Sequence, residues 1–475
     1  DQYADAMRLN HETQAHKDAL AAYNAAVATA RLKQWRNRCV SDGYEPGSTF
    51  KPITLAMGLD CGTITLDDTY YCDGAEDYAG RKQTVNCWKA AGHGQQTTVE
   101  SLGNSCNIAF SSMGVKIGGA TFYDYVKAFG FMERTGVDMP GEASGLFFSR
   151  EEFDPKLNGG TTASLISASF GQTFRITPLQ LVRAISATVN GGYLLQPRIV
   201  KEVQDAEGNT IEKTETTVIR QVISEETSAM MREALEHVVA GGTAKGASVP
   251  GYRIGGKTGT SEKIDVFDEN GQRTEDKIVS FIGVAPMEDP EYVVLVALDT
   301  PSRSTGLYIS GGQMAAPTVG KVFADILPYL GVEPNYDDDD LDLITLSVPD
   351  TTGKTEAEAS AVLNEKSFTY RRVGSGTTVT DQVPAPGAMI PGKSQVILYF
   401  GENAPADKIQ VPDFSDMTLV AALNRASQNG LYMLVTGVNQ DAWNVVITHQ
   451  DIPAGTLVDR GTTITVEFTD TTADD

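Results

Sequence analysis

Apolar residues recur at helical spacing in three stretches of the chain. They mark residues 48–59, a run opened by Thr177-Pro178 with Leu181, Ile185 and Val189 along one face, and residues 225–239. Strand-like runs come later: Tyr252-Arg253-Ile254, then 278–285, then 292–298. The last two flank Pro286-Met287-Glu288-Asp289-Pro290, a hairpin connection. Three late strands joined this way predict an antiparallel sheet flanked by helices, an α/β class of the α+β kind. Residues 35–335 read as one large mixed unit. Residues 1–34 are alanine-rich and helical in propensity, and read as the remnant of an N-terminal region.

The pattern then changes. Asp337-Asp338-Asp339-Asp340 repels itself and stays solvated, so residues 336–343 read as an acidic linker, with Pro328, Gly331 and Pro334 just before it. An internal repeat follows. Val348-Pro349-Asp350 recurs as Val411-Pro412-Asp413, and each copy leads into a short helical pattern. The first has Ala357, Ala361, Val362 and Leu363; the second has Val420, Ala421, Ala422 and Leu423. Each then carries a Pro-Gly turn, at Gln382 to Gly387 and Gln450 to Gly455. Each closes on an alternating strand, Val396, Leu398 and Phe400 or Ile464, Val466 and Phe468. Residues 344–402 and 407–470 are therefore two small α+β modules.

The 475 residues are 41% apolar and 21% charged, as in soluble globular domains. No stretch of about 20 apolar residues occurs. A net charge of −24 excludes nucleic acid or anionic lipid as a charge-driven partner. The tail from 336 onward holds 21 acidic and 8 basic residues, so it does not grip anionic wall polymers by charge. Cys39, Cys61, Cys72, Cys87 and Cys106 include no CxxC pair, and the five histidines do not cluster with them in sequence. No metal site and no cofactor is expected.

Three short motifs carry candidate chemistry. In Ser48-Thr49-Phe50-Lys51 the i, i+3 spacing puts Lys51 one helical turn from Ser48. A serine hydroxyl needs a base to become a nucleophile, and a lysine serves when its pKa is lowered. Pro46-Gly47 feeds a helix start, where free N–H groups favour an oxyanion. In Ser105-Cys106-Asn107, a second hydroxyl can relay a proton and an amide can hold a carbonyl. Lys257-Thr258-Gly259-Thr260 follows Gly255-Gly256 and the strand at 252–254. An extended edge there can pair with a substrate backbone, Gly259 permits close approach, and Lys257 offers charge to a carboxylate or a proton relay.

The three motifs in this order match the set shared by penicillin-binding proteins and class A β-lactamases. With Trp35-Arg36-Asn37, Tyr44 to Lys51, Ala168-Ser169-Phe170-Gly171-Gln172 and Thr177-Pro178-Leu179-Gln180, the chain resembles a class B penicillin-binding protein, of division or stage V sporulation type. The tail repeats resemble PASTA modules. The resemblance implies a penicillin-binding protein/serine β-lactamase-like fold and a D,D-transpeptidase that cross-links peptidoglycan stem peptides and is acylated by β-lactams. It implies that Ser48 is acylated, Lys51 deprotonates it, Ser105 passes a proton to the leaving D-alanine, and Asn107 binds the donor peptide. Lys257, Thr258 and Thr260 would hold the terminal carboxylate, and the N–H groups of Ser48 and Thr260 would form the oxyanion hole. It further implies a membrane-embedded glycan polymerase as partner. The location would be the extracytoplasmic face of the cell membrane, with an anchor upstream of this chain.

Three alternatives share these features. A D,D-carboxypeptidase would pass the same acyl group to water. A β-lactamase would need a deacylating base from Asp154, Glu151 or Glu152 near Asp154-Pro155-Lys156-Leu157-Asn158. A wall-binding protein would use the PASTA modules and an inactive enzyme domain. Among the cysteines, a Cys72–Cys87 bond, a Cys87–Cys106 bond that gates the motif, and an unpaired buried Cys106 all remain open.

Overall fold

The computed structural model describes residues 13–263, 266–268, 271–305, 308–337, 340–405, 408–437 and 445–470. The chain divides into two units, Asp1–Val249 with Arg253–Gly331, and Pro250–Tyr252 with Val332–Asp475.

The first unit opens with the helix Gln14–Trp35, capped by Thr13 and burying only His16. Its largest described sheet has three antiparallel strands, Gly255–Glu262, Lys277–Ala285 and Tyr292–Asp299, with Lys277–Ala285 in the centre. The central strand is apolar on both faces, Val279, Phe281, Ile282 and Val284 all being fully buried. Helices account for this: Glu225–Ala240 packs on the edge strand and Ala316–Tyr329 on the central one.

Two sequence expectations are corrected. The strand expected at 252–254 begins instead at Gly255 and runs through the Lys257–Thr260 motif. The ladder ends at Gly255 opposite Val284, just before Ala285-Pro286, and proline has no N–H to extend it. The helix expected from 48 is a 3-10 turn, Gly47–Phe50, followed by the α-helix Lys51–Asp60 with Pro52 in its first turn. Pro328, ahead of the linker, lies inside the helix Ala316–Tyr329.

The turn that bears Ser48 is held by an aromatic cluster. The Phe50 ring is fully buried, with the Phe174, Phe131 and Phe122 centroids 4.8, 5.3 and 6.4 Å away. Such contacts add to the area that a phenylalanine buries and fix the turn's orientation.

In the second unit the acidic run is partly structured. Asp340 Oδ2 accepts the Gly251 N–H at 2.9 Å, and Asp337 Oδ1 accepts the Asp340 N–H at 2.8 Å. Asp338 and Asp339 lie outside the described residues. The two repeats share one topology. In the first, Gln395–Phe400 pairs parallel with Thr369–Gly374 and antiparallel with Val379–Val383. In the second, Thr463–Asp470 pairs likewise with Tyr432–Gly437 and Val445–Gln450. Helices Glu356–Glu365 and Leu419–Gln428 cover them. The repeated glutamine makes the same bonds in both: Gln382 Nε2 donates to the carbonyls of Pro349 and Pro384, and Gln450 Nε2 to those of Pro412 and Ile452.

Candidate active site

Ser48 sits on a turn gripped from two sides. Gly47 has φ +55° and its N–H donates to the Gly171 carbonyl at 2.9 Å. Gly171 has φ +88°, and a Cβ there would lie 1.9 Å from the Gly47 oxygen. Only glycine at 171 permits this approach. On the other side Ser261 Oγ donates to the Glu45 carbonyl at 2.7 Å, tying the turn to the edge strand. Ser48 is half-buried, while Lys51, one turn on, is wholly buried.

Lys51 joins the first motif to the second. Its Nζ donates to the Ser105 carbonyl at 2.6 Å, to Asn107 Oδ1 at 2.9 Å and to Ser105 Oγ at 3.2 Å. Burial lowers its pKa to about 8, with Cys106 and Cys87 opposing the shift. Ser105 holds φ +54°, a strained backbone for a serine, in the short link between the helices Thr98–Gly103 and Asn107–Ile117. Asn107 begins the second of these, and its Nδ2 donates to the Asn86 carbonyl at 3.2 Å.

The third motif lies on the edge strand of the sheet. Thr258, Gly259 and Thr260 line a cleft of about 650 Å³ together with Ser48, Ser105 and Asn107. Lys257 is not among the lining residues. It is fully buried behind them, and Nζ donates to the Thr258 carbonyl and Oγ1, both at 3.2 Å. Burial, reinforced by the charge of Lys51, holds its pKa well below the usual lysine value. Gly259 has a packing reason beside the expected one. A Cβ there would lie 2.8 Å from Thr49 Cγ2 and 2.7 Å from Ser280 Oγ, so the glycine lets the strand close on the Ser48 turn.

Further lining residues had no motif to announce them: Trp88, Thr243 and Tyr308. Thr243 Oγ1 lies 2.9 Å from Thr258 Oγ1 and orients it. Phe170 and Gln172, from the 168–172 segment singled out in the sequence, do reach the cleft. Asp154, Glu151 and Glu152 do not. Asp154 Oδ1 accepts the Lys156 N–H, and Glu152 completes a capping box with Ser149.

The five cysteines are unpaired in the structure, and Cys87 Sγ lies 4.0 Å from Cys106 Sγ. The fold brings a histidine to three of them that sequence spacing did not: Cys72, Cys87, Cys106 and His93 converge, their ligand atoms within 4.8 Å of one another.

Comparison with known proteins identifies the two kinds of domain. The penicillin binding protein transpeptidase domain family matches residues 9–327, and the PASTA domain family matches 346–402 and 409–470. The chain is 40% identical over 376 residues to stage V sporulation protein D of Bacillus subtilis, covering 78% of this chain and 55% of that one. It is 31% identical over 305 residues to penicillin-binding protein PbpB of Mycolicibacterium smegmatis, covering 62% and 45%. The chain thus spans about half the length of the curated relatives it matches. A crystal structure of penicillin binding protein 3 from Mycobacterium tuberculosis, complexed with aztreonam, superposes with a TM-score of 0.55 at 28% identity, covering 63% of this chain and 65% of that one.

Proposed function

The chain belongs to the penicillin-binding protein transpeptidase family and carries two PASTA domains, and from that premise we propose that it is a serine D,D-transpeptidase of class B that cross-links peptidoglycan stem peptides. The observation that carries this reading is Lys51: a buried amine of lowered pKa, hydrogen-bonded to Ser105 and Asn107, beneath a cleft that Ser48 and the Thr258–Thr260 edge also line. Lys51 Nζ takes the Ser48 proton as Oγ attacks the carbonyl of the penultimate D-alanine. Ser105 Oγ passes a proton to the departing D-alanine nitrogen as the peptide bond breaks. The N–H groups of Ser48 and Thr260 receive the oxyanion. Lys257, which donates to Thr258 Oγ1 from behind, holds the terminal carboxylate together with Thr258 and Thr260, Gly259 keeps their strand against the Ser48 turn, and Asn107 holds the donor backbone. An acceptor amine then attacks the ester and frees Ser48.

Transfer to water, as in a D,D-carboxypeptidase, uses the same acyl-enzyme and differs only in the acceptor. The β-lactamase alternative loses support because its three candidate bases lie away from the cleft. By family resemblance the enzyme works at the outer face of the membrane beside a glycan polymerase, held by a segment upstream of this chain. We assign residues 35–335 to catalysis and the modules 344–402 and 407–470 to the wall-facing tail.

The test is covalent labelling with a fluorescent penicillin followed by peptide mapping. Label is expected on Ser48 and lost in Ser48→Ala with the fold intact. The adduct should persist for minutes, since a missing deacylating base costs roughly 10²–10⁴ in rate. Label on another serine, or turnover of penicillin at many molecules per second, would overturn the reading.

A further inference from the structure

Beside the catalytic cleft lies a second cavity, of about 750 Å³, to which the acyl transfer described above gives no role. The 80–83 loop and the 159–167 segment wall it, together with Phe148 and Thr173. The two hollows share borders: where Gln83 and Thr173 line the cavity, their near neighbours Asn86 and Gln172 line the cleft. The walls are tied to each other. The Gly80 carbonyl accepts the Thr162 N–H at 3.0 Å and the Thr161 hydroxyl at 3.1 Å, and Thr162 Oγ1 donates to the Ala79 carbonyl at 2.6 Å. The Tyr78 hydroxyl donates to the Ile108 carbonyl at 2.9 Å, which anchors the loop to the helix that begins at Asn107.

The cavity is cationic in a chain of net charge −24. Arg81 and Lys82 line it, and among the described residues no aspartate or glutamate does. Arg81 is half-buried, and its partners are all neutral: Nε donates to the Gln83 carbonyl at 3.0 Å, and Nη1 to the Ala163 carbonyl at 3.1 Å and to Ser167 Oγ at 2.9 Å. A guanidinium has five N–H donors. Three fix its plane here, and the two on Nη2 have no partner among the described residues. Burial with no carboxylate to oppose it lowers the Arg81 pKa, yet a guanidinium keeps its charge. Lys82, next in the chain and exposed, adds a second positive charge. A held guanidinium with a free end inside a cavity is a preset partner for a carboxylate.

We propose that this cavity is a subsite for the upstream part of the donor peptide, in which Arg81 and Lys82 hold a carboxylate that the peptide carries before its D-alanyl end. The inference rests on the proposed acyl transfer, which sets the direction of the donor. Its terminal carboxylate lies at Thr258 and Thr260, its scissile carbonyl at Ser48 and its backbone at Asn107, whose amide donates to the Asn86 carbonyl. Continued the same way, the chain crosses Asn86 and reaches Gln83 and the cavity. An extended peptide advances about 3.3–3.6 Å per residue, so a short stem passes from one hollow into the other. Arg81 and Lys82 touch no reacting atom; they select donors by charge and hold them in register.

The test uses penicillins whose side chain is a peptide of roughly one to three residues ending in a carboxylate, each paired with the same compound ending in an amide. Acylation of the chain is followed by intact mass. At the best length the carboxylate form should react roughly tenfold to a hundredfold faster at sub-saturating concentration, the range of a charge-assisted hydrogen bond. Arg81→Gln should bring that ratio close to one, and Lys82→Gln should lower it by about threefold. Both variants should react with plain benzylpenicillin at the wild-type rate, because that compound does not reach the cavity. Equal rates for carboxylate and amide at every length overturn the subsite. So does a preference that survives in Arg81→Gln. A preference that appears only for a carboxylated amine acceptor attacking the preformed acyl-enzyme assigns the cavity to the acceptor and overturns the donor assignment. Failure of benzylpenicillin to label Ser48 would instead sink the acyl-transfer reading itself, so the two failures are distinguishable. Should Arg81→Gln not fold, the wild-type ratio and its loss in Lys82→Glu, whose side chain is exposed, decide.

Discussion

The pH dependence of Ser48 acylation follows from the burial of Lys51. The general base is the neutral amine, and burial brings its pKa to about 8. A lowered lysine pKa means that the neutral form is lost as pH falls through 8 and complete above it. About a tenth of the enzyme is then competent at pH 7 and about nine-tenths at pH 9, a rise of roughly tenfold that levels off. An exposed lysine would be about 0.03% neutral at pH 7 and would still be climbing at pH 9. The groups facing Lys51 are Ser105, Asn107, Cys87, Cys106 and Lys257. His93 responds to Lys51 as well, but burial lowers its pKa below the usual histidine value, so it titrates beneath this window. Stopped-flow acylation by penicillin at sub-saturating concentration, from pH 6 to 10, measures the curve. Lys51→Arg is the control, because a guanidinium stays charged and cannot accept the proton. It should lower the rate by roughly 10²–10⁴ and abolish the rise. A flat profile, a midpoint above 10, or a rise that survives in Lys51→Arg would refute the reasoning; the last would make Lys257 the titrating group.

Gly171→Ala puts a Cβ against the Gly47 carbonyl at a positive φ. It should cost about 2–4 kcal/mol of stability and slow acylation, because Gly47 moves with Ser48; an unchanged melting temperature and rate would count against the packing described. Asn107→Ala removes a Lys51 partner and the bond to the Asn86 carbonyl. It should weaken acylation by about tenfold or more, read from the same traces. A chain truncated after Gly331 should still label with penicillin, and loss of all reactivity would make the tail part of the catalytic core.

The three motifs and the repeat were legible because they are local. Ser48 and Lys51 are one turn apart on any helix, and period-two alternation marks Gln395–Phe400 and Thr463–Asp470 wherever they pair. The glycine-rich strand Gly255–Glu262 was harder to place, since its residues have poor strand propensity and its pairing with Lys277–Ala285 overrides that preference. Tertiary structure alone decided the chemical state of the lysines. Both pKa shifts come from desolvation, and nothing in the words around Lys51 or Lys257 tells how deeply each is buried. It alone decided that Lys257 stands behind the cleft wall and that Gly259 serves the Ser48 turn. The cysteine–histidine cluster is the sharpest case. Its four residues have no metal-ligand spacing in sequence, and they meet because two strand pairs and a helix start converge. Spacing along a chain predicts a site only where one turn or hairpin supplies all the ligands; where separate elements supply them, packing decides.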